Sequence, residues 1–314
     1  MSEIFASEWW EPGRPDDLLS GTLFEESQSG WVLQLDLSFE QLLGEVPIPG
    51  KPYQFFDSVK DYPILCGEAS GKFLTLFNCR VMEANSNLQG RIQVKVKPDL
   101  IAYDVHIKDF RITSLSVRFS DLDAWVATSG FNIEFLELSP NYSTRIQYRR
   151  PSAINMGTVD GMNLSVEFVA NGPKITRQPQ VQAQMEQTAW VKITAQESRP
   201  FDEFLMASHV LSDFITLGVG QPIRPFGEMR AICVTEKEGQ ETPFHFKLLQ
   251  NRVPIVPPIS DIDASDMLFT FPDVLDELPK VLKLWFGKDD GLQVLYEMYF
   301  GTVRSPSKIG RAHV

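Results

Sequence analysis

Histidine and cysteine are scarce in these 314 residues, with four of the first and three of the second. Metal centres and nucleophile–base pairs draw on those residue types, so few such sites can be assembled. Cys66, Cys79 and Cys233 are odd in number and scattered. That argues against a disulfide framework and predicts free, mostly buried thiols in a reducing cytosol. Basic charge is also short: 29 Lys and Arg stand against 41 Asp and Glu, a net charge of −12. A surface built for non-specific nucleic-acid binding needs the opposite balance. No apolar run is long enough to span a bilayer. The opening MSEIFASEWWEPG lacks the basic start and apolar core of a signal peptide. The expected location is cytoplasmic, with no membrane partner.

What remains is an ordinary globular composition, 43% hydrophobic and 22% charged, long enough for one large domain or two smaller ones. Most of the chain alternates with the period of half-buried strands. Trp31, Leu33, Leu35 and Leu37 alternate with Val32, Gln34, Asp36 and Ser38, so 21–37 reads as a hairpin. A second hairpin spans 64–79, turning at Gly67 to Gly71. Further strands are expected at 92–96, 100–107, 115–119, 131–135, 146–148, 164–168 and 190–193, and a late hairpin at 229–249. Residues 1–20 read as an irregular lead-in, and 120–125 as one helical turn with Ser120 as N-cap and Asp123 three residues on.

One stretch breaks the pattern. PFDEFLMASHVLSDFITLGVG, 200–220, predicts a helix opened by Pro200 and closed by Gly218 and Gly220. It is apolar nearly all round, with a narrow polar stripe of Asp202, His209, Asp213 and Thr216, and a helix of that kind is buried on most sides. After a Pro- and Asp-rich linker the chain turns helical again. Leu275, Leu278, Leu282 and Trp285 share one face, and Pro279 is expected to kink or split that helix.

The expected fold is therefore mainly β, sandwich or barrel-like, followed by a smaller α-helical C-terminal part, α+β overall. The expected divisions are a β-rich domain over 1–198, a helix plus hairpin packed on it over 199–258, and a helical segment over 259–308.

Tests for chemistry return little. Asp104, His106 and Asp109 would lie on a strand, where only the first two share a face. Asp261, Asp263 and Asp266 resemble a calcium loop, but Asp266 and Pro272 occupy positions that need Gly and Glu. Gly218-x-Gly220 follows a helix rather than opening one, so it is no phosphate loop. Arg145, Arg149 and Arg150 are the candidate contacts for an anionic ligand, against the alternative of a charge-guarded strand edge. No catalytic residue, metal ligand or cofactor is expected.

Several strings in order resemble the N-terminal region of ApeA-like proteins, bacterial anti-phage factors with a C-terminal HEPN ribonuclease domain. They are WWEPGRPDDLLSGTL at 9–23, ILCGEASGKFLTLFNC at 64–79, SLSVRFSDLDAWVATSGF at 114–131, DEFLMASHVLSDFITLGVGQPI at 202–223, MLFTFPDVLDELPKVLKLWF at 267–286 and YEMYFGT at 296–302. The resemblance implies a regulatory or sensing β-rich domain of an abortive-infection ribonuclease. It implies a HEPN domain as partner in cis, homo-oligomerisation of the intact protein, a phage-derived trigger, and RNA contact only through the HEPN domain. RNA cleavage in such proteins belongs to an R-x4–6-H motif, and no position here matches it. The alternative is a β-sandwich module binding a carbohydrate or a protein, which exposed aromatics around Trp9, Trp10 and Trp31 would favour.

Residues 309–314, IGRAHV, match one reading frame of a common sequencing adapter, ATC GGA AGA GCA CAC GTC. We therefore expect a reading frame cut short near Lys308, before the HEPN domain. The expected surface toward that domain comprises Trp285, Tyr296, Tyr299 and Phe300, with Val303 beside them.

Overall fold

A computed structural model describes residues 4–26, 30–38, 61–69, 71–86, 91–103, 110–138, 141–176, 182–237, 240–251, 262–287 and 299. The mainly β, barrel-like fold with a smaller helical part is present. The chain forms two compact units, residues 1–111 with 228–253, and residues 112–227 with 254–314. These units cut across the boundaries expected at 198 and 258. The late hairpin belongs to the first unit because its strands pair with strands there, a long-range choice that local sequence does not encode.

In the first unit, β1 (Ile4–Glu11), β2 (Arg14–Glu26), β3 (Gly30–Ser38), β4 (Tyr62–Ala69), β5 (Lys72–Ser86) and β6 (Arg91–Lys97) are joined in the order β4-β1-β2-β3-β6-β5. Because β5 pairs with both β4 and β6, the sheet closes on itself as an antiparallel barrel. The lead-in expected to be irregular over 1–20 holds strand β1 and the first half of β2. The alternating residues fill the interior: Leu23, Leu33, Leu35, Leu65, Leu74, Leu76, Val94 and Val96 are fully buried, as expected of a barrel too narrow for a channel. Trp9 of β1 lies opposite Gly67 of β4. Its indole rests where a Gly67 side chain would sit, 2.5 Å from the ring, and beside Gly21 of β2. Two glycines thus make room for one tryptophan. Beyond the barrel, β7 (Leu100–Tyr103) pairs with β5, β15 (Gln240–Gln250) pairs with β7, and β14 (Met229–Lys237) pairs with β15.

In the second unit, β8 (Arg111–Val117), β11 (Ile154–Val159), β12 (Met162–Thr176) and β13 (Gln182–Pro200) form an antiparallel run in the order β11-β12-β13-β8. β9 (Phe131–Leu138) and β10 (Asn141–Tyr148) form a separate two-stranded ribbon. Helices among the described residues include α1 (Leu122–Val126), α2 (Phe201–Val219), α3 (Phe271–Val274) and α4 (Leu278–Gly287). α2 ends at Gly220 in the left-handed conformation, its N–H bonded to the Thr216 carbonyl, while Gly218 lies inside the helix. The glycine at 218 lets Trp125 approach: a side chain there would fall 2.7 Å from the indole Nε1. Phe214 sits at the centre of the helical packing, edge-on to Trp125 and Trp285 and tilted against Phe269.

Three local expectations are corrected. The helical turn at α1 is capped by Asp121 with no side-chain bond, not by Ser120. Tertiary partners take both oxygens instead: the Ser120 hydroxyl accepts the Arg224 N–H at 3.1 Å, and Asp123 Oδ1 accepts the Ala189 N–H at 2.7 Å. Half of the polar stripe on α2 is buried, since the chain returns over Asp213 and Thr216 and the Ile223 N–H donates to the Thr216 hydroxyl. Leu275 does not join the buried face of Leu278 and Leu282; it is exposed. Pro279 falls in the first turn of α4, where its missing N–H costs nothing, so the helix is split as expected.

Asn251, just past β15, is the polar keystone of the first unit. Its Oδ1 accepts the Trp31 N–H at 2.8 Å, and its Nδ2 donates to the Trp31 carbonyl at 2.8 Å and the Pro98 carbonyl at 2.7 Å. Asn251→Ala removes its hydrogen bonds to three buried backbone groups and is expected to cost roughly 3 kcal/mol. A lowered urea midpoint at unchanged slope is the expected result; an unaltered midpoint contradicts it.

Candidate interaction surface

The β9–β10 ribbon has the register Phe131↔Tyr148, Ile133↔Ile146 and Phe135↔Thr144. Period-two alternation places these six side chains on one face. The Phe131 and Tyr148 rings lie 4.9 Å apart at the root. Toward the tip the face is bare: Ile133 is 53% exposed, Ile146 64% and Phe135 80%. Near the root the opposite face is polar, with Asn132 Nδ2 donating to Glu134 and Arg145 lying 3.7 Å from Glu134. Both members of that ion pair are exposed, so it contributes little.

The root is fixed. The Arg149 N–H donates to the Gly130 carbonyl at 2.8 Å. A side chain at Gly130 would run into the Arg149 carbonyl, so only glycine fits there. Gln187 of β13 clamps the approach to the ribbon from both sides: its Oε1 accepts the Gly130 N–H at 2.9 Å and its Nε2 donates to the Thr128 carbonyl at 2.8 Å. A two-stranded ribbon alone is marginal in water, and this clamp supplies what the missing neighbours do not.

The three arginines expected to share a ligand do not converge. Arg145 and Arg149 are separated by about 13 Å along an extended strand, and Arg150 follows with the opposite parity. All three are exposed. They form a strip along one strand rather than a pocket for a small anion. Sequence reasoning passed over another arginine, Arg118, whose guanidinium lies 4.4 Å from the Phe226 ring centre and 5.6 Å from that of Trp190. Such stacking holds a cation inside the fold.

The C-terminal helices make a second surface. Thr270 and Asp273 form a capping box at α3. The Trp285 indole N–H donates to the Val210 carbonyl at 3.0 Å, which ties α4 to α2 and leaves Trp285 half-buried. Leu284 and Leu268 are 69% and 67% exposed. Tyr299 is half-buried, and desolvation pushes its hydroxyl above the usual value. Tyr296, Phe300, Val303 and the segment 309–314 lie outside the described residues, as do His106 and Asp261. His209 and His245 are exposed and far apart in sequence, and Asp263 caps a short turn by accepting the Ser265 N–H. Among the described residues, no group of three or more His, Cys, Asp or Glu is placed to hold a metal ion. No helix among them is long and apolar enough to cross a membrane. Cys66, Cys79 and Cys233 are free and buried; burial pushes the Cys79 thiol far up, so it stays protonated and inert.

Compared with known proteins, the model of one family, described as ApeA N-terminal domain 1, matches residues 5–285. No curated protein and no solved structure matches.

Two outcomes test this geometry. Gln187→Ala removes two hydrogen bonds and is expected to loosen the ribbon root more than the whole fold, speeding exchange of the Gly130 and Arg149 amides by about tenfold or more. Unchanged exchange at those amides contradicts the clamp. The second outcome concerns pH. Hydrogen bonds from the Thr270 hydroxyl and N–H hold the Asp273 carboxyl below its ordinary 3.8. A depressed carboxyl stabilises the folded state above its unfolded value and loses that contribution as pH falls through the folded value. The melting-temperature gap between the native protein and Asp273→Asn should be present near about pH 6 and shrink as pH falls below 3.8 through the lower folded value. A gap constant with pH contradicts the capping role.

Proposed function

Because the chain belongs to the ApeA N-terminal domain family, we propose that it is the sensing and regulatory region of an anti-phage protein, acting in cis on a HEPN ribonuclease domain of the intact protein. The family match over residues 5–285 is the observation that supports this reading. RNA is cleaved by the HEPN arginine and histidine in this proposal, and the intact protein works as a cytoplasmic homo-oligomer. This chain contributes recognition of a phage-derived trigger and its transmission.

The second unit offers a physical route for transmission. The ribbon is clamped to β13 through Gln187. β13 runs into α2 at Pro200 without an intervening loop. α2 holds α4 through Trp285. A displacement at the ribbon thus acts on a strand whose other end is the helix that bears the C-terminal surface. The HEPN domain packs, in this reading, over the side of Trp285, Tyr296, Tyr299 and Phe300.

The alternative of a β-sandwich module binding a carbohydrate or a protein through exposed aromatics loses its motive. Of the three tryptophans it rests on, Trp9 and Trp31 are buried and Trp10 is half-buried.

The proposal is tested in two steps. The 314-residue chain, incubated with total tRNA and rRNA with and without divalent metals, should leave both intact. Reproducible, dose-dependent cleavage by clean protein overturns the assignment of catalysis to the HEPN domain. Cells carrying the intact gene should resist phage, and a deletion of residues 5–285 should lose triggered protection. Full, phage-dependent protection without those residues overturns the sensing role.

A further inference from the structure

The ribbon pairs with no other strand among the described residues, and its apolar face is bare at Ile133, Phe135 and Ile146. We propose that β10 is a docking edge for an extended, acidic segment of a partner protein that carries apolar residues at alternate positions and adds to the ribbon as a third strand. This names a partner class for the sensing role above and rests on that reading for its purpose.

The backbone fixes which edge is available. The bond from the Arg149 N–H to the Gly130 carbonyl sets the alternation of the ladder. Counting back from it, Gln147 and Arg145 spend their backbone groups on β9, whereas Tyr148, Ile146 and Thr144 turn theirs outward. Those same three residues carry their side chains on the apolar face. A strand added at β10 therefore finds backbone donors and acceptors, and it extends an apolar face that already exists, which is how edge addition obtains both affinity and selectivity.

Charge selects the occupant. Arg145, Arg149 and Arg150 run along or just beyond β10, and neither Arg149 nor Arg150 has an ion pair among the described residues. A chain of net charge −12 has gathered basic groups here. A second copy is disfavoured, since β10 against β10 sets arginines against arginines and β9 against β9 sets Glu134 against Glu134. Pairing β9 of one copy to β10 of another is complementary but head-to-tail, and β9–β10 pairing of that kind need not close. Nucleic acid is disfavoured because the chain carries a net charge of −12 and Glu134 lies 3.7 Å from Arg145 on the polar face; the aromatic Phe131, Phe135 and Tyr148 on the apolar face make it an outcome of the test. An acidic, apolar-alternating polypeptide meets every feature.

The probe is a fluorescein-labelled synthetic peptide of about ten residues, the length of one strand, alternating glutamate with isoleucine and valine. Its twin carries lysine in place of glutamate. Anisotropy titrations use the full chain. The glutamate peptide should bind saturably and the twin should not. Arg149→Glu with Arg150→Glu, and separately Ile146→Asp, should each weaken binding at least about tenfold, equivalent to about 1.4 kcal/mol. Ile146→Thr, which keeps strand propensity, serves if Ile146→Asp disturbs the fold. The proposal is overturned by absence of saturable glutamate-peptide binding, by equal binding of the twin, or by affinity unchanged in the variants. Ribbon-dependent dimers in light scattering, or displacement of the peptide by an oligouridylate through the same arginines, overturn it too. Phage protection by the intact protein carrying the same variants is scored separately. Protection retained while peptide binding is lost removes the sensing role and leaves the docking edge standing.

Discussion

The first unit depends on one exchange of partners within β5. From Leu74 to Phe77 this strand pairs with β7, and from Arg80 onward with β6. The switch falls at Asn78, whose φ of 50° is left-handed. Asparagine tolerates that conformation better than most residues because its short polar side chain can bond locally. The far half of β5 pairs with β6, which closes the barrel, while the near half pairs with β7, which leads to β15 and β14. The β6–β7 junction opposite Asn78 is pinned: the Asp99 N–H donates to the Phe77 carbonyl at 3.0 Å and Arg80 meets the Asp99 carboxylate at 2.7 Å. Asn251 then ties the same junction, through Pro98, to β3. A closed barrel has no edge strands to protect.

The second unit is organised differently, around a strand that does several jobs. β13 pairs with β12 along nearly its whole length. It supplies the Ala189 N–H that draws Asp123 away from capping, the Gln187 side chain that clamps the ribbon, and the direct entry to α2. The helices interlock through Phe214 and Gly218. Gly157, at φ +119°, lets Pro279 of α4 sit against β11, where a side chain would fall 3.0 Å from the proline Cβ. The helical part is therefore held by close approaches at glycine as much as by apolar area.

Much of this was legible from alternation alone. Leu33, Leu35 and Leu37 announce an inward-facing strand, and they are buried. The helix at 201–219 was legible from its unbroken apolar girth, and the split near Pro279 from the missing N–H. What was not legible depends on residues distant in sequence. Barrel closure requires knowing that Arg80 meets Lys97 and that Trp9 meets Gly67. Ser120 and Asp123 have the spacing of a capping box, yet residues some 104 and 66 positions away hold their oxygens. The arginine cluster was visible as composition, but only the register shows that its members lie along a strand instead of around a point.

The ribbon shows the deepest limit of pattern reading. FNIEF at 131–135 alternates as cleanly as LQLDL at 33–37, and both specify one apolar face. The pattern states that a face is to be covered; it does not state by what. For β3 the cover is the barrel interior, and Leu35 is wholly buried. For β9 nothing among the described residues covers Phe135, which is 80% exposed. A strand on a free two-stranded ribbon gains no transfer free energy from an uncovered phenylalanine, and the Gln187 clamp and Gly130 turn hold the ribbon in place without it. The apolar face therefore contributes little to the isolated fold. Its free energy of burial, on the order of 25 cal/mol per Å² covered, is available to association.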